Sequence, residues 1–334
     1  MRLAAASKTP CVPYFISYTM PMIMEDDVVS GSSMWTGVYP AATTQFATDG
    51  SVDIDATQRG LVALVEDGVD GLILLGTCGE NNSLDVEEKH AVLRAGVEAV
   101  GGRVPLVVGV SEFTTRRAAA FASEVEAIGV DALMLLPAMV YVPTPNELAT
   151  HFRTVAEATG LPIMLYNNPP AYRVSVDFAT LELLEPVSNI VAVKESAPDP
   201  RRFTDVINRF GDRYIVMAGL DDIALEGMML GATGWVSGLT SAFPQESVAL
   251  IAAVDRGDWE EARRIYRWFM PLLHLDAEHD LVQSIKLAEE IMGRGSERVR
   301  LPRLPLEGAR RAEVIAMVEK CAATRPTLKA AVAA

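Results

Sequence analysis

Short, continuously apolar runs recur between Val38 and Leu239, separated by longer stretches with helical spacing, and this alternation constrains the fold most. The runs are Val38–Thr44, Gly71–Gly76, Pro105–Val110, Ala132–Pro137, Pro162–Asn167, Ile190–Glu195, Tyr214–Gly219 and Gly234–Leu239. Their starts fall 20–34 residues apart, about the length of a strand, a helix and a return loop. Most of them do not alternate apolar with polar, as is typical of strands buried on both faces of a parallel sheet. Asp85 with Glu88 predicts a capping box ahead of a helix through His90. Gly129, Gly160, Gly211 and Gly231 sit where helices would stop. Eight such units predict an α/β fold, a (β/α)8 TIM barrel. An open doubly wound sheet is the alternative, but its G-x-G-x-x-G turn after the first strand is missing. After Leu239 the pattern is purely helical: Gln245–Arg256, Trp259–His274, Leu281–Met292 and Glu307–Cys321. The expected organisation is a barrel over 34–257, a C-terminal helical appendix over 258–324 and a frayed tail over 325–334.

Residues 1–33 read differently. Pro10, Pro13 and Pro21 break up the apolar stretch, so it lacks the h-region of roughly 7–15 residues that a secretory signal needs. The expectation is a disordered extension, or an upstream start with Met34 as the natural beginning. Net charge is −15, from 29 Lys+Arg against 44 Asp+Glu. Such a chain repels phosphate backbones, which argues against a nucleic-acid partner. No run approaches the roughly 18 apolar residues of a membrane span. The three cysteines, Cys11, Cys78 and Cys321, are too scattered for a disulfide framework or a metal knuckle, and the four histidines form no zinc motif. A cytoplasmic protein without zinc chemistry is expected.

In a barrel, reactive groups project from the C-terminal ends of strands. Of six lysines, only Lys194 ends a strand-like run. Apolar walls there would disfavour the ammonium and favour a free amine that attacks a carbonyl. A structural lysine paired with Glu195 or another acid is the competing reading. The second run ends in Gly76-Thr77-Cys78-Gly79-Glu80, where backbone N–H groups could converge on an anion, although an isolated glycine turn looks the same. Cys78 as a thiol nucleophile is disfavoured, because no histidine lies near a strand end to activate it. Tyr166, ending the fifth run, could carry protons with Thr77 as relay, or could simply pack. Asn167 and Asn168 offer amide contacts to substrate or backbone. Gly219 and Gly238 leave room for a ligand, or form tight turns.

Taken together, the Gly-Thr-x-Gly-Glu sequence at 76–80, Tyr166-Asn167, Lys194-Glu195, Gly219 and Gly234, in this order from about Thr36 to Leu304, resemble the dihydrodipicolinate synthase / N-acetylneuraminate lyase family. The resemblance implies a (β/α)8 barrel, a homotetramer built as a dimer of dimers, and no metal or organic cofactor. It implies Lys194 as the Schiff-base lysine for a 2-keto acid, Tyr166 and Thr77 as catalytic proton carriers, and the 76–80 loop, with Cys78 and Gly79, as the carboxylate holder. Asn168 and Gly219 join the expected substrate-binding set.

Departures from the family pattern point to a branch. Thr77-Cys78 stands where synthases carry Thr-Thr. Pro170-Ala171 replaces Ser-Arg, with Arg173 displaced. Pro137-Ala138-Met139-Val140-Tyr141 replaces Pro-Tyr-Tyr. The stretches Gly76–Ser83, Tyr166–Pro169 and Tyr266–Leu275 look most like the branch that deaminates Δ1-pyrroline-4-hydroxy-2-carboxylate to 2,5-dioxopentanoate in hydroxyproline breakdown. The expected substrate is therefore a small 2-keto or cyclic 2-imino acid. The alternatives are a 4-hydroxy-tetrahydrodipicolinate synthase or another pyruvate-dependent aldolase, a non-catalytic keto-acid-binding barrel, and a metal-dependent aldolase, which the sparse histidines disfavour.

Overall fold

The computed structural model describes residues 33–138 and 140–328. Eight strands form one parallel sheet: β1 (Gly37–Pro40), β2 (Leu72–Leu74), β3 (Leu106–Val110), β4 (Ala132–Leu135), β5 (Ile163–Asn167), β6 (Ile190–Glu195), β7 (Ile215–Ala218) and β8 (Gly234–Ser237). Neighbours in sequence are neighbours in the sheet, and β1 pairs with β8. A parallel bridge between Ala41 and Ile73 joins the end of β1 to β2 and closes the ring. The helices α1 (Ile54–Glu66), α2 (Val86–Val100), α3 (Thr115–Glu126), α4 (Pro145–Ala156), the short α5 (Pro169–Tyr172), α6 (Phe178–Leu184), α7 (Arg201–Phe210), α8 (Ala224–Met229) and α9 (Pro244–Asp255) lie between and after the strands. The expected barrel is present, and the Asp85–Glu88 capping box starts α2.

Strand period sorts the side chains into two cores. Tyr39, Ile73, Val107, Met134, Met164, Ala192, Met217 and Val236 fill the inside of the ring. Val38, Leu72, Val108, Leu133, Leu165, Val193, Val216 and Trp235, one residue away in each strand, face the helices. The inside is thus packed, and a polar group can face it only above the last apolar layer.

Several strands are shorter than their sequence patterns suggest, β1 and β8 among them. β1 stops at Pro40, after which the Ala41 N–H still reaches the Ser237 carbonyl at 2.8 Å and the Ala42 N–H reaches the Ile73 carbonyl at 2.9 Å. Beyond it, Thr43 donates to Glu289 at 2.7 and 2.9 Å, and Thr44 donates to the Gly79 carbonyl at 2.7 Å. β8 stops at Ser237 because the Leu239 N–H is taken by Asp221, 3.1 Å away, and the chain turns.

The appendix consists of α10 (Trp259–Leu273), α11 (Leu281–Ile291) and α12 (Gly308–Ala323). It packs against α9, and the 3-10 turn His274–Ala277 between α10 and α11 sits on the turn that follows β7. That contact brings a tail segment over the C-terminal mouth of the barrel. Beyond α12, Arg325 pairs with Glu246 at 3.0 Å and the Thr327 carbonyl accepts from Arg264 at 2.8 Å. The rest of the expected tail, from 329, and the expected extension up to residue 32 lie outside the described residues.

Candidate active site

Lys194 occupies the inward register of β6, two residues above Ala192. Its cross-strand partner is Tyr166 on β5, two residues above Met164. The lysine is buried, and its Nζ lies over the Tyr166 ring, 4.1 Å from the centroid. Among the described residues Lys194 makes no ion pair, which separates it from the other buried lysines. Lys286 is paired with Glu80 at 2.9 Å, and Lys89 with Glu112 at 2.6 Å. The structural reading of Lys194 required Glu195 or another acid as its partner. Glu195 instead faces outward, accepting from Arg202 Nε at 2.5 Å, Asn167 Nδ2 at 2.7 Å and the Ala197 N–H at 2.8 Å. Burial raises the Glu195 carboxyl while the Arg202 charge pulls it down.

Gly219, at the end of β7, makes room for the lysine stem. A Cβ there would lie 2.5 Å from Lys194 Cγ, 2.7 Å from Cε and 2.3 Å from Ser196 Oγ. Its role is to clear space behind the amine, and it does not line the pocket in front. Gly79 also stands behind the pocket, its carbonyl holding Thr44.

The pocket in front of Lys194 is walled by Gly76, Thr77 and Cys78 from the β2 loop, Met134, Tyr166 and Asn168, and by Gly238, Asp276 and Leu281 from the far side. Asn168 does two jobs: its Oδ1 caps α5 through the Ala171 N–H at 3.1 Å, and its Nδ2 donates to the Tyr166 hydroxyl at 2.9 Å. Burial pushes the Tyr166 phenol well above its ordinary range, so it stays protonated. The Thr77 hydroxyl is hydrogen-bonded to Tyr172, while the Tyr166 hydroxyl accepts from Asn168. Tyr172 closes α5, and its ring stands edge-on to that of Tyr166, 5.5 Å between centroids. Asn167 is not a ligand contact; it braces Glu195 and the Val176 N–H.

Cys78 is buried, and burial followed by the Asp276 charge pushes its thiol far up, which disarms it as a nucleophile. Tyr141 is exposed on the β4 loop and does not reach this chain's pocket.

Two acids escaped the sequence reading. Asp221 is fully buried behind the site and accepts from Trp235 Nε1 at 3.0 Å, Ser237 Oγ at 3.1 Å and the Leu239 N–H at 3.1 Å. Burial, then the charge of Asp276, raises it well above the carboxylate range. Asp276, from the 3-10 turn of the appendix, accepts the Asp221 N–H at 3.4 Å and looks into the pocket. Burial pushes it up to about 6, against the pull of Lys194. Asp276 directly follows the Tyr266–Leu275 stretch, but only folding shows that this turn reaches the mouth. Among the described residues, no group of three or more His, Cys, Asp or Glu is arranged to hold a metal ion, and no helix is long and apolar enough to cross a membrane.

Comparison with known proteins agrees with the barrel fold. The model of the dihydrodipicolinate synthetase family matches residues 34–321. The 4-hydroxy-tetrahydrodipicolinate synthase of Koribacter versatilis is 35% identical over 300 residues, covering 89% of this chain and 98% of the relative. That of Methanocaldococcus jannaschii is 34% identical over 270 residues, covering 80% and 92%. Among solved structures, dihydrodipicolinate synthase from Aquifex aeolicus superposes with TM-score 0.82 at 29% identity, covering 85% of this chain and 97% of that one. A prophage protein of the dihydrodipicolinic acid synthase family from E. coli K12, solved in complex with pyruvate, gives TM-score 0.81 at 27% identity, covering 86% and 99%.

Proposed function

We propose, from the premise that this chain belongs to the dihydrodipicolinate synthetase family, that Lys194 forms a Schiff base with the carbonyl or imine carbon of a 2-keto or cyclic 2-imino acid. The chain is a class I, lysine-dependent lyase. The observation that carries the assignment of its lysine is the inward, buried Nζ of Lys194 on the Tyr166 ring, with Glu195 turned away and held by Arg202. An amine so placed needs no partner to be removed before it attacks.

The neighbours then take defined roles. Tyr166, protonated and oriented by Asn168, exchanges protons with the adduct. Thr77 and Tyr172 form the next hydroxyl pair along the wall. The turn from Gly76 to Glu80, with Cys78, receives the substrate carboxylate on backbone N–H groups. No metal or organic cofactor has a part in these steps.

For the reaction itself, our reading is deamination of Δ1-pyrroline-4-hydroxy-2-carboxylate to 2,5-dioxopentanoate. Lys194 adds to the imine carbon, the ring nitrogen leaves that carbon, the iminium loses its C3 proton to give an enamine, and the 4-hydroxyl departs as water. Isomerisation then forms an imine at C5 that water hydrolyses to the aldehyde, releasing ammonia. The pocket lining favours this reading, since it carries the carboxylate of Asp276 and no guanidinium. A second carboxylate on the substrate would be repelled there, whereas a hydroxyl or an amine would be received. The second reading, 4-hydroxy-tetrahydrodipicolinate synthase, is favoured by the names of the relatives. Assays with the hydroxypyrroline acid and with pyruvate plus aspartate semialdehyde separate the two. Ammonia released from the first alone supports deamination, condensation of the second pair supports the synthase, and turnover of neither leaves a binding barrel.

The working form is read as a homotetramer, a dimer of dimers, in the cytoplasm. Phe113, Val140, Tyr141 and Val142 on the β3 and β4 loops are exposed apolar side chains for a second copy to cover, and the described cysteines, Cys78 and Cys321, form no disulfide. Light scattering on the eluted protein reads the assembly directly.

A further inference from the structure

We propose that Asp276, delivered to the barrel mouth by the C-terminal appendix, is the acid that protonates the oxygen leaving the carbon β to the Schiff-base carbon, and so selects substrates with a hydroxyl at that carbon. The proposal rests on Schiff-base formation at Lys194 and deepens that reading.

The placement carries it. The two oxygens of Asp276 lie in different settings: Oδ2 takes the Asp221 N–H at 3.4 Å. Oδ1 stands over Gly238 beside the pocket, where a Cβ on that glycine would come within 2.7 Å of it and within 3.4 Å of Cys78 Sγ. The missing side chain at 238 is thus what allows the carboxylate to reach the pocket. Tyr166 enters from β5 and Asp276 from above the end of β8, so an adduct on Lys194 has a proton-handling group on each of two sides.

The titratable groups facing Asp276 are Lys194 from β6, the Tyr166 phenol from β5, Asp221 and Asp222 from the turn after β7, and the Cys78 thiol from the β2 loop. Asp222 is engaged with His274 Nδ1 at 2.8 Å, and Asp221 with its three donors. The variable charge is therefore that of the lysine nitrogen. While that nitrogen is an ammonium or an iminium, it holds Asp276 toward the carboxylate. Once the adduct has given up its C3 proton to solvent and become a neutral enamine, that pull is gone and the carboxyl takes a proton from solvent. In the next step the enamine nitrogen pair re-forms the C=N bond and the C2–C3 pair becomes C3=C4. The C4–O bond breaks with its electrons on oxygen, and Asp276 gives its proton to that oxygen, so water departs. The carboxylate then again faces an iminium, and the cycle of charge is closed.

The test uses the full chain and its Asp276→Asn variant with two substrates. Pyruvate methyl hydrogens exchange with deuterium through imine and enamine alone, with no leaving oxygen. Turnover of Δ1-pyrroline-4-hydroxy-2-carboxylate requires elimination. The expected result is exchange within about twofold of the parent, and a loss of kcat on the hydroxylated acid of ~10²–10⁴-fold, the usual worth of a general acid. The limb of the pH–kcat profile that reports the acid should disappear with the loss. Equal losses in both reactions, or no loss in either, overturn the proposal. A parent that exchanges pyruvate but does not turn over the hydroxylated acid overturns it too, leaving Lys194 chemistry intact. A parent that fails to exchange pyruvate overturns the Schiff-base reading itself.

Discussion

Lys194 and Tyr166 are register partners on β6 and β5, and the amine lies 4.1 Å above the centre of the phenol ring. Strand period puts both side chains on the inner face, one layer above Ala192 and Met164. The ring is thus a floor for the lysine as well as a carrier of a hydroxyl, and the two roles separate by mutation. Tyr166→Phe keeps the floor and removes the hydroxyl. Pyruvate should still be trapped on the lysine, while kcat falls ~10²–10³-fold for loss of proton transfer. Steady-state kinetics beside reductive trapping checks this, and loss of trapping would show that the hydroxyl serves the imine itself.

Gly219→Ala should disable the lysine from behind. The added methyl would meet Lys194 Cγ at 2.5 Å and Ser196 Oγ at 2.3 Å, so the stem must leave its position over Tyr166. A loss of about 1–3 kcal/mol in stability is expected from overpacking, together with loss of the trapped adduct. Urea denaturation and mass spectrometry read the two effects separately.

Cys78 should be inert although it lines the pocket. Its thiol is pushed up, first by burial and then by Asp276, so little thiolate exists at pH 8. Iodoacetamide at that pH should leave activity unchanged over an hour. Rapid inactivation, with the label mapped to Cys78, would contradict this electrostatic picture.

Glu289 makes the stability depend on pH. It is buried beneath Thr43 and Gln45, and burial pushes its carboxyl from 4.5 up to about 7. A raised folded-state value means the native chain holds a proton that the unfolded chain releases. The stabilisation is full below about 4.5 and is lost as pH rises through about 7. Glu289→Gln should therefore flatten the fall in urea midpoint between pH 5 and 8. An unchanged slope would mean that Lys286 and Arg294 keep the carboxylate ionised throughout.

Lys286 and Glu80 test the contrast drawn between paired and unpaired lysines. Both side chains are fully buried, and Glu80 also accepts the Arg300 N–H at 3.0 Å. Lys286→Met should cost about 3–5 kcal/mol, the usual loss when one member of a buried pair is removed. Pyruvate trapping by the folded fraction should persist, since Lys286 lies outside the pocket.

The barrel was legible because strands covered on both faces need unbroken apolar runs, and Leu72-Ile73-Leu74 or Leu106-Val107-Val108 cannot be written otherwise. Lys194 was legible because strand period gives a strand-end residue an address inside the ring. Tyr172 and Asp276 were not. Tyr172 reaches Thr77 only because two prolines start a single helical turn that folds it back across the mouth. Asp276 depends on how a distant turn of the appendix packs on the β7 loop. Periodicity is local, and it carries no information about such long-range docking. The same limit explains β1, whose apparent continuation through Thr44 is given up to side-chain bonds with Glu289 and Gly79.

Borohydride reduction in the presence of pyruvate, followed by peptide mass mapping, examines the central assignment most directly. The account predicts one reduced pyruvate adduct per chain, carried on Lys194 and absent from a Lys194→Met variant that still folds. A chain that stays unmodified beside a labelled positive control, or an adduct on another lysine, would contradict it.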